Sequence, residues 1–220
     1  MATHPERPGY PEREPRSPPS RESADRMTRR FVHDHNQPLF TFDDGPTEEW
    51  TPAILDLLAE HQRRATFFCT GIHVAAHPEI VRRAFLAGHR IGNHGWSHRR
   101  LTDLDDGAVR AELVQTQDAI RAATGTRPRV WRAPYFGADQ RVLEIADSLS
   151  LAHQGASLIP DDWSATDPEA LARVVLGEIR PGSVVSLHDG IPPGGGSERC
   201  TDSRAVTVEA LRLILEGLPR

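Results

Sequence analysis

A chain of 220 residues with a formal net charge of -5 and a hydrophobic fraction of 38% has room for one globular domain with a buried core. Its basic side chains are all arginine, with no lysine anywhere, which excludes Schiff-base chemistry and a P-loop lysine. The mild acidic balance, with no basic stripe, argues against a nucleic-acid partner.

Residues 1–37 are Pro-, Arg- and Glu-rich ("PERPGYPEREPRSPPSRES") and hold too few aliphatics to order themselves, so a disordered tail is expected there. The tail has no apolar h-region, and no transmembrane segment is expected. That predicts a cytoplasmic protein, or an extracellular or wall-associated one if the start is misassigned; Met27 is a second candidate start. Cys69 and Cys200 are read as separate free thiols, with a single bridge as the alternative.

From residue 38 the chain alternates between strand and helix patterns. "PLFTF" reads as a strand, and "TPAILDLLAEH" as a helix capped by Thr51 with Ile54, Leu57 and Leu58 on its apolar face. "ATFFC" is a second strand, "PEIVRRAFLAG" a helix closed by Gly88, and "HRIGNH" a third strand. A long helix follows, with Val109, Leu113, Thr116 and Ile120 on one side. Next come the strand "RVWRAP", the helix "DQRVLEIADSL", the extended segment "LAHQGASLI", the helix "DPEALARVVLGEI", the strand "GSVVSLHDG" and a closing helix, "RAVTVEALRLILEGL".

Such alternation predicts parallel strands with helices outside, as an open sheet or a barrel. No GxGxxG follows the first strand, so a dinucleotide site has no support. Asp43, Asp44, His94, Arg132, Asp162 and His188 all follow predicted strands or extended segments. That favours a (β/α) barrel over an open sheet, with the active site at the C-terminal ends of the strands.

One of the neighbouring aspartates, together with His94 and His98 of "NHGWSH", makes an open set of three ligands for a divalent metal. The other aspartate is then free to act as a general base. Arg132 of "WRAPYFG" can hold a carboxylate, and Pro134 fixes a turn that makes the Tyr135 N–H a candidate oxyanion donor. His188, at the end of a very apolar strand, is placed to act as general acid, and a carboxylate beside it would keep it protonated.

"TFDDGP", H-x-x-x-H, R-x-P-Y, D-W and "LHD", in that order, make residues 38–218 resemble the polysaccharide deacetylase family (carbohydrate esterase family 4). The resemblance implies that residues 38–220 are a catalytic domain, a distorted, incomplete (β/α) barrel of about seven strands, acting as a metal-dependent N-deacetylase of N-acetylated sugars. It assigns Asp43 as catalytic base, Asp44, His94 and His98 as metal ligands, and Arg132 as the tether of the base. Tyr135 matches the oxyanion donor, Asp162 the carboxylate that charges the catalytic His188, and Trp163 and Leu187 the walls of the acetyl pocket. The implied cofactor is Zn²⁺, with Co²⁺ or another divalent ion as alternatives. The implied partner is an N-acetylated carbohydrate, chitooligosaccharide or peptidoglycan-like. A small cytoplasmic N-acyl amine and a carbohydrate-binding pseudoenzyme are the other readings.

Departures from the family pattern are Gly95 after the first metal histidine, expected to loosen the loop, and Ala156 and Ile159 before "DDW". A Gly/Pro-rich stretch follows His188 and is read as a surface loop, with a substrate lid as the alternative. His33, His35, His61, His73, His77, His89 and His153 are expected at surface or helix-end positions, Asp161 in solvent, and Asp139 and Asp189 near the mouth.

Overall fold

The structure is a computed structural model describing residues 36–195, 201 and 203–218. Nearly all of the expected tail, with Met27, His33 and His35, lies outside the described residues, as does Cys200. No helix among the described residues is long and apolar enough to cross a membrane.

Six strands form one parallel sheet: β1 (Leu39–Asp43), β2 (Ala65–Cys69), β3 (Arg90–Asn93), β4 (Val130–Trp131), β5 (Ala152–His153) and β6 (Val184–His188). Their spatial order is β5-β4-β3-β2-β1-β6, which makes β5 and β6 the two edges. Yet Leu158, five residues beyond His153, bridges Val185 on the outer side of β6. In a flat sheet with strands about 4.8 Å apart that position would lie about 29 Å from β5. Five residues reach about 18 Å at full extension. The sheet is therefore curled, and the segment after β5 spans the gap between its edges. The architecture is the incomplete (β/α) barrel expected from the sequence, with six strands among the described residues in place of about seven.

Strand pleating sorts the side chains onto two surfaces. Phe40 and Phe42 of β1, Phe67 of β2, and Val185 and Leu187 of β6 face outward. There they meet Ile54 and Leu58 of α1 (Trp50–Glu60), Val175 of α6 (Pro168–Glu178) and Leu211 and Ile214 of α7 (Ala205–Gly217). Each of these fully buried side chains contributes about 1.5–3 kcal/mol through removal from water. A second cluster packs Trp131 against Val109 and Leu113 of α4 (Asp106–Thr124) and Val142 of α5 (Gln140–Ser148). The alternate positions face the barrel interior and are largely polar: Thr41, Asp43, Thr66, Arg90, Arg132 and Ser186.

Most helix limits follow from local chemistry. Asp105 caps α4 by accepting from the Ala108 N–H at 2.8 Å, and Gly125 ends it at φ 84°. Asp139 and Asp167 cap α5 and α6 in the same way, which gives Asp139 a local role rather than one in the site. The first helix departs from expectation. It begins at Trp50, and the Thr51 hydroxyl is not its cap; it accepts from the Thr47 N–H and donates to Asp189. The short helix α2 (Gly71–Ala76) was not predicted, since six residues carry too little periodicity to register. It precedes α3 (Pro78–Leu86).

Candidate active site

The end of β1 carries the paired carboxylates into a turn. Asp44 adopts φ 76°, a strained conformation for a residue with a side chain, and its carbonyl accepts from Thr70 Oγ1 (3.2 Å) and His73 Nδ1 (2.6 Å). His73, expected at the surface without a partner, thus braces the turn. Asp189 grips the same turn from the far side. Its N–H donates to Asp43 O, and its Oδ1 accepts from the Gly45 N–H (3.1 Å). Its Oδ2 accepts from Thr51 Oγ1 (2.6 Å). A Cβ at position 45 would lie 2.2 Å from Asp189 Oδ2, so glycine is required for this approach. Burial pushes the Asp189 carboxyl up to about 7, against the pull of its hydrogen bonds with Thr51 and Gly45.

The turn directs Asp44 toward the loop after β3. Asp44 Oδ1 stands 3.4 Å from His94 Nε2 and 3.1 Å from His98 Nε2, and all three side chains are buried. Two donors each about 2.1 Å from one ion at the tetrahedral angle stand about 3.4 Å apart, so this spacing is that of ligands around a divalent cation. Asp44 Oδ1 is buried without a hydrogen-bond partner among the described residues, a cost that an ion would remove. His94 Nδ1–H donates to Arg132 O at 2.8 Å, which leaves Nε2 with its lone pair toward the ion position. Burial alone would raise the Asp44 carboxyl, but the two imidazoles outweigh it and hold it well below the ordinary carboxylate range. The residues present fit a divalent metal of the Zn²⁺ type, with room for further ligands from solvent.

Asp43 points into the barrel. Arg132, wholly buried, crosses the interior from the end of β4, and its Nη1 lies 2.9 Å from Asp43 Oδ1. The same nitrogen donates to Thr41 Oγ1 (2.8 Å) and Ser186 Oγ (3.0 Å), while Nε and Nη2 donate to Gln154 O and Gly155 O. The guanidinium lies over the Phe68 ring, 4.3 Å from its centroid. Ser186 Oγ also donates to Asp43 Oδ2 at 3.4 Å. The base candidate is therefore oriented by a cation and one hydroxyl.

His188 ends β6 opposite Asp43 in register. Asp162, in the turn Asp162–Ser164, accepts from His188 Nδ1 at 2.7 Å through Oδ1. Its Oδ2 accepts from the His188 N–H (2.9 Å) and from Thr207 Oγ1 of α7 (2.8 Å). Burial lowers the His188 pKa, but Asp162 and then Asp44 and Asp43 outweigh it and push it up to about 9. The imidazolium is thus present throughout the neutral range. The pair adds stability that is complete below the ordinary histidine pKa and fades as pH rises through about 9.

Asp43, Asp44, His94, His98 and His188 line one cavity of about 330 Å³, with Tyr135, Phe136, Ile159, Asp161 and Trp163 at its walls. A larger groove of about 690 Å³, beside Arg121, Arg127 and Arg129 at the start of β4, holds none of the candidate residues. An Asp-His-His ligand set, an Arg-held second aspartate and an Asp-held histidine thus stand around one cavity. A sequence model of the polysaccharide deacetylase family matches residues 34–153, more than half of the chain.

The chain belongs to the polysaccharide deacetylase family. It is 42% identical over 184 residues to a chitooligosaccharide deacetylase of Bradyrhizobium sp., covering 82% of this chain and 83% of the relative. It is 34% identical over 163 residues to a peptidoglycan-N-acetylglucosamine deacetylase of Bacillus cereus, covering 74% and 58% of the two chains. Its fold superposes on a family 4 carbohydrate esterase from Streptomyces lividans, solved with acetate, at a TM-score of 0.73 and 27% identity, covering 84% and 88%.

Against that family background, nine of the ten predicted site residues meet at the cavity or on the groups that line it. Tyr135 sits at φ 58° in the turn Pro134–Phe136, and its N–H donates to no acceptor among the described residues. Its ring packs on His98 (centroids 4.6 Å apart) and under Arg100. Leu187 is the exception. The pleat that turns Ser186 and His188 inward turns Leu187 outward, where it is buried in the helix-packed core and lines no part of the cavity.

Other expectations also change. Gly95 does not loosen its loop. It takes φ 75°, and its N–H and carbonyl bond to Asn93 Oδ1 and the Gly71 N–H. His89 is buried and accepts from the Ala65 N–H, with its pKa pushed down to about 4 by burial and then by Arg64 and Arg83. Asp161 lies at φ 51° and lines the cavity while remaining exposed. Thr41, Ser186 and Asp189 were missed or set aside because a lone hydroxyl or carboxyl carries no motif; inward parity on β1 and β6 was the available signal for the two hydroxyls.

Replacing Asp162 with Asn should strip the charge that holds His188 protonated. The alkaline limb of kcat/KM is expected to move from about 9 toward the ordinary histidine value of about 6.5. A pH-rate profile checks this, and an unmoved limb would assign that titration to another group.

Proposed function

We propose that the protein is a metal-dependent N-deacetylase that hydrolyses the acetamide of N-acetylglucosamine units in chitooligosaccharide or peptidoglycan-like substrates. The observation that carries this reading is the convergence of Asp44, His94 and His98 with Asp43 and the Asp162–His188 pair on one cavity. The curated relatives, named for deacetylation of such substrates, support the same substrate class. A divalent ion held by Asp44, His94 and His98 would supply a Lewis acid for the carbonyl and lower the pKa of water.

Asp43 takes the proton of the water whose oxygen adds to the acetyl carbon. Arg132 and Ser186 keep its carboxylate aimed and prevent it from turning away. The Tyr135 N–H, which has no acceptor among the described residues, would donate to the oxygen on which negative charge develops. His188, protonated by virtue of Asp162, gives its proton to the sugar nitrogen as the C–N bond breaks, so acetate and a free amine leave. Phe136, Ile159 and Trp163 offer apolar surface to the sugar and acetyl faces.

Removal of divalent ions by a chelator should abolish acetate release, and added Zn²⁺ or Co²⁺ should restore it. The assay pairs acetate release with a panel of chitooligosaccharides, peptidoglycan fragments and small N-acetyl amines. Release from the small amines alone would shift the proposal to a small-molecule deacylase. Binding of oligosaccharide with no acetate under any metal would make the protein a pseudoenzyme.

A further inference from the structure

The two candidate metal histidines are not held alike. His94 has its second ring nitrogen fixed by Arg132 O, the usual way a protein orients a metal-binding imidazole. His98 Nδ1 is buried and has no hydrogen-bond partner among the described residues. His98 also sits at φ 59°, a conformation that persists only where its surroundings impose it. Something other than a ring hydrogen bond must set its position.

The backbone between the two histidines is tied down group by group. The Gly95 and Trp96 carbonyls accept from the Gly71 and Ile72 N–H groups of α2. The Gly95 N–H donates to Asn93 Oδ1, and the other two N–H groups converge on one side chain, Glu112 of α4. Its Oε2 accepts from the Trp96 N–H (2.7 Å) and the Ser97 N–H (2.8 Å), and its Oε1 accepts from Ser97 Oγ (2.6 Å). Glu112 is 8% exposed, so these bonds are made with little competition from water. Two consecutive N–H groups on one carboxylate oxygen form an anion nest that fixes the peptide planes immediately before His98.

We infer that Glu112 is a positioning residue for the metal centre: by gripping Trp96 and Ser97 it fixes the orientation of His98 that a ring partner would otherwise supply. It touches neither ion nor substrate and acts through the loop. This inference rests on the reading of Asp44, His94 and His98 as ligands.

The test is the affinity of the metal-free full chain for Zn²⁺ and Co²⁺, measured by competition with a chelating dye. The parent is expected to bind one ion and Asp44→Ala to lose it. Glu112→Ala should weaken binding about 10- to 100-fold, the range for loss of a ligand's supporting partner. Glu112→Gln, which keeps an acceptor for both N–H groups, should recover most of the affinity. Ser97→Ala, which removes one contact of the three and spares the fold, should give a smaller loss in the same direction, and it carries the test if Glu112→Ala does not fold. The Co²⁺ absorption band should shift in Glu112→Ala, reporting a changed ligand geometry. A folded Glu112→Ala, or failing that Ser97→Ala, that binds as tightly as the parent with an unchanged spectrum overturns the inference while leaving the ligand set intact. Failure of the parent itself to bind, or full binding by Asp44→Ala, overturns the ligand reading and the inference with it.

Discussion

Asp43→Asn is expected to lower kcat about 10²- to 10⁴-fold while the protein still binds its metal. The substitution is nearly isosteric. The amide oxygen can still accept from Arg132 Nη1, which lies 2.9 Å from Asp43 Oδ1, so the interior network keeps its shape. What is lost is a group able to accept a proton from water. The metal ligands are untouched, because Asp43 belongs to the Arg132 network and Asp44 alone joins the two histidines. Steady-state kinetics beside metal analysis of the purified variant separate the roles. Wild-type kcat in the variant would remove Asp43 as base, and loss of the ion would make it a ligand.

Arg132→Met should cost about 3–5 kcal/mol of stability, because it leaves a buried carboxylate without its counter-charge. Arg132 is fully buried and donates to Thr41, Asp43, Ser186, Gln154 and Gly155. These acceptors lie on β1, on β6 and in the segment that spans the open side of the barrel, so the guanidinium adds a cross-tie through the interior to the β1–β6 pairing and the Leu158 bridge. For a chain of this size the loss corresponds to roughly 6–20 °C in Tm. The same substitution in the Asp43→Asn background should cost less, since no charge is then stranded. Thermal or urea unfolding of the single and double variants reads both numbers. A single-variant loss below about 1 kcal/mol would mean that water replaces the arginine without penalty.

Much of this architecture was legible because its signals are local. Val109, Leu113, Thr116 and Ile120 of α4 recur at helical spacing, and all four are buried. The strand-end placement of Asp43, His94, Arg132 and His188 follows from apolar runs that stop at polar residues. The extended segment expected over 151–159 was read too generously. Only Ala152 and His153 form a strand, because the chain leaves β5 to cross the gap and meets β6 again at Leu158. Closure of a barrel depends on curvature, and curvature leaves no periodicity in a sequence.

The misplacement of Leu187 has a different cause. Its neighbour His188 belongs to the site, but adjacency along a strand puts two side chains on opposite surfaces. The contacts of Glu112 and Asp189 lay out of reach for a third reason. Glu112 meets its partners across 15 and 16 residues, and Asp189 meets Gly45 across 144. A buried carboxylate in a helix or after a strand looks like any solvated one until the fold brings its donors near.

The Asp162 contacts bear on how this site would fail under stress. Asp162 holds His188 through both ring and backbone and is itself held by Thr207, while the chain just before it is stitched to β6 at Leu158. The proton donor and the group that charges it therefore travel as one body, anchored to the C-terminal helix. Loosening of that sheet edge would withdraw both together from the metal ligands on β1 and the loop after β3. A partly opened molecule would then fall silent rather than turn into a slower enzyme with an altered pH profile, and heat inactivation should coincide with release of β6 and the C-terminal helix from the core.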